Sequence, residues 1–229
     1  FLIKAGDGIS VEIHQKIKSL ADEITKAAIK GIVELVPAYN ELMVIYKPGV
    51  IHYKDLLLQL KAAEKKTSVN RITKKRIIHI PVCYDQAFAL DIDFVAKANE
   101  VTPEEVKNIH SGAEYLVYML GFTPGFCYLG GMHEKIATPR KEIPRKLIEA
   151  GSVGIAGKQT GVYPIDSPGG WQIIGKTPLK LFDANRKPEF LIQAGDYIKF
   201  GSVNHQEFLI IQEKIRAGNY ELVMEYKDV

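Results

Sequence analysis

The sequence predicts an α+β chain in two parts: a small ferredoxin-like α+β domain over residues 1–82, then an antiparallel β-barrel or sandwich over residues 83–229. Three observations predict it. Up to Val82, two helix-period segments alternate with short apolar strands. After Tyr84 the chain breaks into short strand-like pieces with few helices between them. Glycine and proline crowd into Gly121–Pro178, which holds 11 of the 19 Gly and 6 of the 11 Pro.

In the first part, Ile13, Ile17, Leu20, Ile24 and Ala28 recur at spacings of three and four, an apolar helical stripe with Lys16, Lys18, Asp22 and Glu23 left for solvent. Ser10 is its expected N-cap and Gly31 its stop. Ile32–Val36 and Leu42–Tyr46 read as strands joined by the turn Pro37-Ala38-Tyr39-Asn40. Tyr53–Lys65 is a second amphipathic helix, and Arg76–Val82 a third β-branched run. With Phe1–Lys4 as a first strand the order is βαββαβ, the split-βαβ arrangement. The basic stretch Lys61, Lys65, Lys66, Arg71, Lys74, Lys75, Arg76 reads as an anion or partner contact or as a solvated linker, and the linker is favoured because no aromatic residue interleaves the charges.

In the second part, Asp91–Asn99 reads as a short helix. Thr102-Pro103-Glu104-Glu105 spells a capping box with Pro at the first helical position, opening a helix that runs to about His110. The strand-like pieces that follow are Glu114–Leu120, Ser152–Ala156, Trp171–Ile174, Tyr197–Phe200, Glu207–Gln212 and Tyr220–Glu225.

Composition excludes several classes. The 30 Lys+Arg against 27 Asp+Glu leave a formal charge of +3, too even for a nucleic-acid binder. No apolar run approaches a membrane span, and Phe1–Ile9 does not spell a signal peptide. Cys83 and Cys127 stand alone, without a CxxC companion, so they form neither a disulfide framework nor a zinc site. The expectation is a cytoplasmic protein with no metal site, since the six histidines are scattered without ligand spacing.

The glycine- and proline-rich stretch contains GFTPGFCYLGG from Gly121 and AGSVGIAGKQTGVYPIDSPGGWQIIG from Ala150. Glycine lets another chain approach the backbone and proline pins φ, so these segments make stiff loops carrying the faces of Phe122, Phe126, Tyr128, Tyr163 and Trp171. Ser152-Val153-Gly154-Ile155-Ala156-Gly157-Lys158-Gln159 mimics a phosphate-binding loop. It fails as one, with Ser at the first Gly position, Gln after the Lys and no following helix. A GxSxG elbow is absent. Cys127 reads as an inert buried thiol. His110 reads as a helix C-terminal residue or as a base at the loop rim, and Arg140 and Arg145 as proline-fixed cations for an anion or for solvent.

Those two long segments, with Ala137-Thr138-Pro139-Arg140, Ile80–Tyr84, the run from Ile109 and Ala5-Gly6-Asp7, resemble the KipI / allophanate hydrolase subunit 1 family along essentially the whole chain. The resemblance implies a cyclophilin-like second half and a non-autonomous part in an ATP-dependent 5-oxoprolinase, opening 5-oxoproline to L-glutamate. It implies an allophanate hydrolase subunit 2-like partner and a lactam-hydrolase subunit, with ATP shared with or held by the partner. Some members resemble inhibitors of a sensor histidine kinase, and the module also occurs in urea carboxylases. A prolyl isomerase reading rests on fold analogy alone. One departure is visible: family members usually carry a further strand and turn after Ala5-Gly6-Asp7, where this chain has Gly8-Ile9-Ser10, so either that segment is missing from the given sequence or the first sheet is abbreviated.

On this reading Phe122, Pro124, Gly125, Phe126 and Tyr128 form one wall of a small-molecule site, and Gln159, Thr160 and Tyr163 its polar contacts. Ser167, Gly169, Gly170 and Trp171 lie opposite, with His110 as acid/base and Arg140 as anion-gripping group. No nucleic acid or membrane is expected as a partner.

Overall fold

The computed structural model describes residues 1–8, 10–67 and 74–228. Arg71 of the basic stretch lies outside them. The chain divides into two compact units, residues 1–73 and 74–228.

In the first unit β1 (Leu2–Lys4), β2 (Ile32–Pro37) and β3 (Glu41–Tyr46) form an antiparallel sheet in the order β1-β3-β2. Helix α1 (Val11–Lys26) starts where the Ser10 hydroxyl accepts from the Ile13 N–H at 3.2 Å, and its buried side chains His14, Ile17, Leu20 and Ile24 fall at helical spacing. Helix α2 (Tyr53–Lys66) adds Leu56, Leu60 and Ala63. With Leu42 and Val44 of β3 these make one core.

The expected fourth strand of that sheet is not there. Lys74–Cys83 forms β4, which runs in the large sheet of the second unit, hydrogen-bonded to other strands on both edges. The boundary at residue 82 therefore moves to 73/74, and the ferredoxin-like order stops at three strands. The reason is legible in the run itself. Ile77, Ile78, Ile80 and Val82 are all fully buried, whereas a strand with one solvated face alternates.

After β4 the second unit continues with α3 (Ile92–Ala98) and α4 (Pro103–Gly112); α4 has the complete capping box, Thr102 with Glu105. Both pack against a nearly closed, barrel-like sheet built from β4, β5 (Glu114–Leu120), β6 (Cys127–Gly130), β8 (Ser152–Ala156), β9 (Gln159–Val162), β11 (Gln172–Lys176), β12 (Tyr197–Val203) and β13 (Met224–Asp228). Its order is β6-β5-β12-β4-β11-β8-β9, with β13 paired to β4, and the end strands β6 and β9 come together. A separate two-stranded ribbon pairs β7 (Arg145–Ile148) with β10 (Ser167–Gly169).

Two sequence expectations are corrected here. The sheet is not wholly antiparallel, because β12 runs parallel to β4 from Tyr197↔Ile77 to Val203↔Cys83. Glu207–Gln212 is not a strand but part of α5 (His205–Arg216). Asn204 accepts from the Glu207 N–H at 2.9 Å and Glu207 reaches back to the Asn204 N–H at 2.8 Å. Two otherwise orphaned donors are thereby satisfied, and a helix begins. The Tyr220–Glu225 strand is shifted toward the C-terminus, to β13.

Candidate functional site

The loop Gly121–Phe126 joins β5 to β6 in an antiparallel hairpin, closed by Gly121 N–H to Phe126 O at 3.1 Å and Phe126 N–H to Thr123 O at 3.1 Å. This tight turn forces Phe122 to φ +68°, a left-handed conformation that bulky residues avoid, and leaves the residue 73% exposed. Gly125 shapes the turn. It has φ +83°, and a Cβ there would stand 2.6 Å from the Phe182 side chain.

Behind Phe122 the rings meet edge to face. Phe126 lies 5.9 Å from Phe122, 5.1 Å from Tyr128 and 5.6 Å from Trp171, centroid to centroid, at interplanar angles of 76°, 73° and 86°. Tyr163 closes the cluster, 6.2 Å from Trp171. Edge-to-face packing places the positive ring edge on the negative ring face, so the cluster holds its shape without filling every gap. Gly161 sits beneath it; a Cβ there would come within 3.2 Å of Trp171 and 3.4 Å of Phe126. Gly169 leaves room for the Tyr163 hydroxyl.

The result is a hollow of about 280 Å³. Phe122, Phe126, Tyr128, Tyr163 and Trp171 supply the rings; Pro168, Gly169 and Gly170 supply one edge. Arg140 overhangs it, its guanidinium 6.0 Å from the centre of the Trp171 ring.

The backbone under Arg140 is held on both sides. Pro139 O accepts from Gln172 Nε2 at 3.0 Å, and the Lys141 N–H donates to Gly170 O at 2.7 Å. Lys141 and Arg145 both reach the carboxylate of Asp91, at 3.2 and 2.7 Å, and Asp91 also accepts from the Ile173 N–H at 2.7 Å. Burial works against the Asp91 charge, but Arg145, the Ile173 N–H and Lys141 outweigh it and hold the carboxyl below its ordinary range. Arg145 is thus committed to a structural carboxylate. Arg140 has no ion-pair partner among the described residues.

His110 is elsewhere. It is fully buried, and it lies outside the hollow's lining. The Thr160 hydroxyl donates to Gly154 O at 3.0 Å and so accepts from His110 Nε2–H at 2.7 Å, while His110 Nδ1 accepts from the Tyr84 hydroxyl at 2.7 Å. Phe200 stacks on the ring at 4.5 Å. Burial among these neutral groups pushes the His110 pKa down to about 3, so the imidazole is neutral and shielded from solvent. The structure does not bring it into the hollow as the expected acid/base: its ring is fully buried and both its nitrogens are taken up by Tyr84 and Thr160.

The structure brings together Phe122, Phe126, Tyr128, Arg140, Tyr163, Gly169, Gly170 and Trp171 of the expected residues. Thr160 is buried against His110, Gly125 is packed under Phe182, and Pro124, Gln159 and Ser167 stand outside the lining. Asp91, the residue that fixes the Arg140 segment, is beyond sequence reasoning; an isolated carboxylate ahead of a short helix gives no sign of partners 50 and 54 residues away. Pro168 is a further lining residue that the sequence does not single out. Cys127 is buried and its thiol is pushed up to about 12, chiefly by burial, so it is no nucleophile. Among the described residues no group of His, Cys, Asp and Glu is placed to hold a metal ion.

Known proteins share this architecture. The family model for the carboxyltransferase domain, subdomain C and D, matches residues 1–192. The chain is 42% identical to the 5-oxoprolinase B subunit of Bacillus subtilis over 227 residues, 93% of each chain. It is 45% identical to the 5-oxoprolinase B subunit of Haemophilus influenzae, over 75% of this chain and 79% of that one. The crystal structure of TTHA0988 superposes with a TM-score of 0.81 at 35% identity, covering 89% of this chain. This chain spans 40% of the TTHA0988 chain. The protein belongs to the carboxyltransferase subdomain C and D family, which includes the KipI and allophanate hydrolase subunit 1 proteins.

Proposed function

We propose that this family member works as the B subunit of an ATP-dependent 5-oxoprolinase, and that its aromatic hollow is one half of a composite active site. The observation that carries the proposal is what the hollow contains and lacks, set beside the near full-length match to a 5-oxoprolinase B subunit. It offers ring faces and one guanidinium, but no carboxylate, histidine or thiol. The Tyr163 hydroxyl is no base at neutral pH: burial raises its pKa, against the Trp171 N–H and the Arg140 and Arg145 charges. Such a surface can bind and orient a small anion, but it offers no general base of its own.

That division suits the reaction. A five-membered lactam is an unreactive amide, and phosphorylating its oxygen makes its carbon open to water. Phosphoryl transfer depends on positioning and on matched charge more than on a covalent nucleophile. On this reading an allophanate hydrolase subunit 2-like protein closes the hollow, a lactam-hydrolase subunit completes the complex, and ATP is a substrate shared across it. The barrel-like sheet is the cyclophilin-like half, residues 74–228. Two free, buried cysteines suit a reducing cytoplasm.

The test is reconstitution. The chain co-purified with its two partner proteins should release glutamate from 5-oxoproline only with ATP, and the chain alone should release none. Strong turnover by the chain alone, or an inert complete complex, rejects the proposal.

A further inference from the structure

We infer that the hollow receives the lactam itself, a small five-membered-ring carboxylate, with its carboxylate on the Arg140 guanidinium and its ring against Trp171, and that the nucleotide binds outside it. The inference rests on the reading of the chain as a 5-oxoprolinase component, and assigns which of that reaction's two small molecules sits here.

Size decides first. A hollow of about 280 Å³ lies just below the ~300–1,000 Å³ typical of drug-sized ligands. A lactam carboxylate fits within it, whereas a base, a ribose and three phosphates would have to extend past its open mouth.

Charge decides next. Among the lining residues only Arg140 carries a formal charge, and one guanidinium fork matches one carboxylate. A triphosphate with its magnesium is held by several cations and a cradle of backbone N–H groups. The segment nearest in spelling to such a cradle is already spent. Ser152–Ala156 and Gln159–Val162 are paired as β8 and β9, and the Gly157 N–H between them donates to Thr138 O at 2.7 Å.

Preorganisation decides last. Pro139 and Lys141 are both tied to the Gly170–Gln172 segment, so Arg140 projects from fixed backbone over the ring it would share with a ligand. Tyr163 lines the same hollow, with its hydroxyl beside Gly169.

The chain's only tryptophan is Trp171, so its fluorescence reports the hollow directly. The experiment titrates 5-oxoproline, 2-pyrrolidinone (the same ring without the carboxylate) and ATP with magnesium into the full chain and into the reconstituted complex. Equilibrium dialysis of labelled 5-oxoproline serves as a readout independent of fluorescence. Saturable binding of 5-oxoproline is expected, at least tenfold weaker for 2-pyrrolidinone and for the Arg140→Gln chain. Arg140→Lys should recover part of the loss, and ATP should leave Trp171 in the isolated chain unmoved. Arg140 is exposed, so both variants should melt at the wild-type temperature.

Displacement of 5-oxoproline by ATP, wild-type affinity in Arg140→Gln, or no 5-oxoproline binding by chain and complex alike would each overturn the inference. A complex that releases glutamate although 5-oxoproline never reaches Trp171 keeps the function and sinks the site. Binding at Trp171 with an inert complex keeps the site and sinks the function.

Discussion

Thr160 and Gly161 are neighbours on β9, and their side-chain positions point to opposite faces of the sheet, as strand geometry requires. On one face Thr160 is fully buried against His110, with Tyr84, Tyr115 and Phe200 around that imidazole. On the other, Gly161 backs Trp171 and Phe126, the floor of a hollow open to Arg140. Both faces carry a nitrogen base and aromatic rings. They differ in access to water, and that difference assigns them to different work. A desolvated, hydrogen-bonded imidazole stabilises a fold; an exposed guanidinium without a carboxylate partner is available to a ligand.

The largest expected effect lies on the buried face. His110→Ala leaves a cavity and strips the Tyr84 and Thr160 hydroxyls of a partner, which should cost about 3–5 kcal/mol in urea unfolding. A loss under about 1 kcal/mol together with a large drop in turnover would erase the distinction between the two faces.

The same residue sets a pH dependence. Its native pKa of about 3 lies below the ordinary histidine value of 6.5, so the unfolded chain takes up a proton that the native state refuses. Stability is therefore complete above about pH 6.5 and falls as the pH drops toward 3, by about 3 kcal/mol at pH 4. His14 in α1, lowered to about 4 chiefly by burial, adds a loss of the same sign. His110→Asn should flatten the His110 part of the slope, measured as unfolding free energy at pH 7 and pH 4.5; an unchanged slope means that the ring is solvated.

A smaller effect is expected at the support of the open face. Asp91→Asn removes the charge that Arg145 and Lys141 share, and should cost about 2 kcal/mol, because both cations remain partly solvated. It should also weaken turnover, since the Arg140 backbone loses a tether. Loss of stability with undiminished turnover would show that the Arg140 segment needs no such support.

The smallest expected change in stability comes from Arg140→Ala. The side chain is exposed, so unfolding should stay within about 0.5 kcal/mol of wild type. Glutamate release by the complex should fall at least tenfold, about 1.4 kcal/mol of binding or transition-state energy. An unchanged rate removes Arg140 from the site.

Much of this is legible in the chain before it folds. The rings of the hollow are visible because glycine and proline concentrate around Phe122, Phe126, Tyr128, Tyr163 and Trp171, and these stiff loops gather them into a small cluster of their own, with Phe122 left exposed at its edge. The helix starts at Ser10 and Thr102 are visible because capping is a contact across three residues. The capping box at Asn204 is equally local but lies before Phe208-Leu209-Ile210-Ile211, an apolar run that reads as a strand when the cap is overlooked.

What the sequence determined by itself was set by short-range physics: periodicity, caps, turn residues and the places where the backbone must stay stiff. Which sheet claimed Lys74–Cys83, which way β12 ran beside it, and whether His110 met water were decided only when distant segments packed. Pairing partners and solvent access depend on residues dozens of positions away, and such neighbours leave no mark in the local pattern of the strand or helix that meets them.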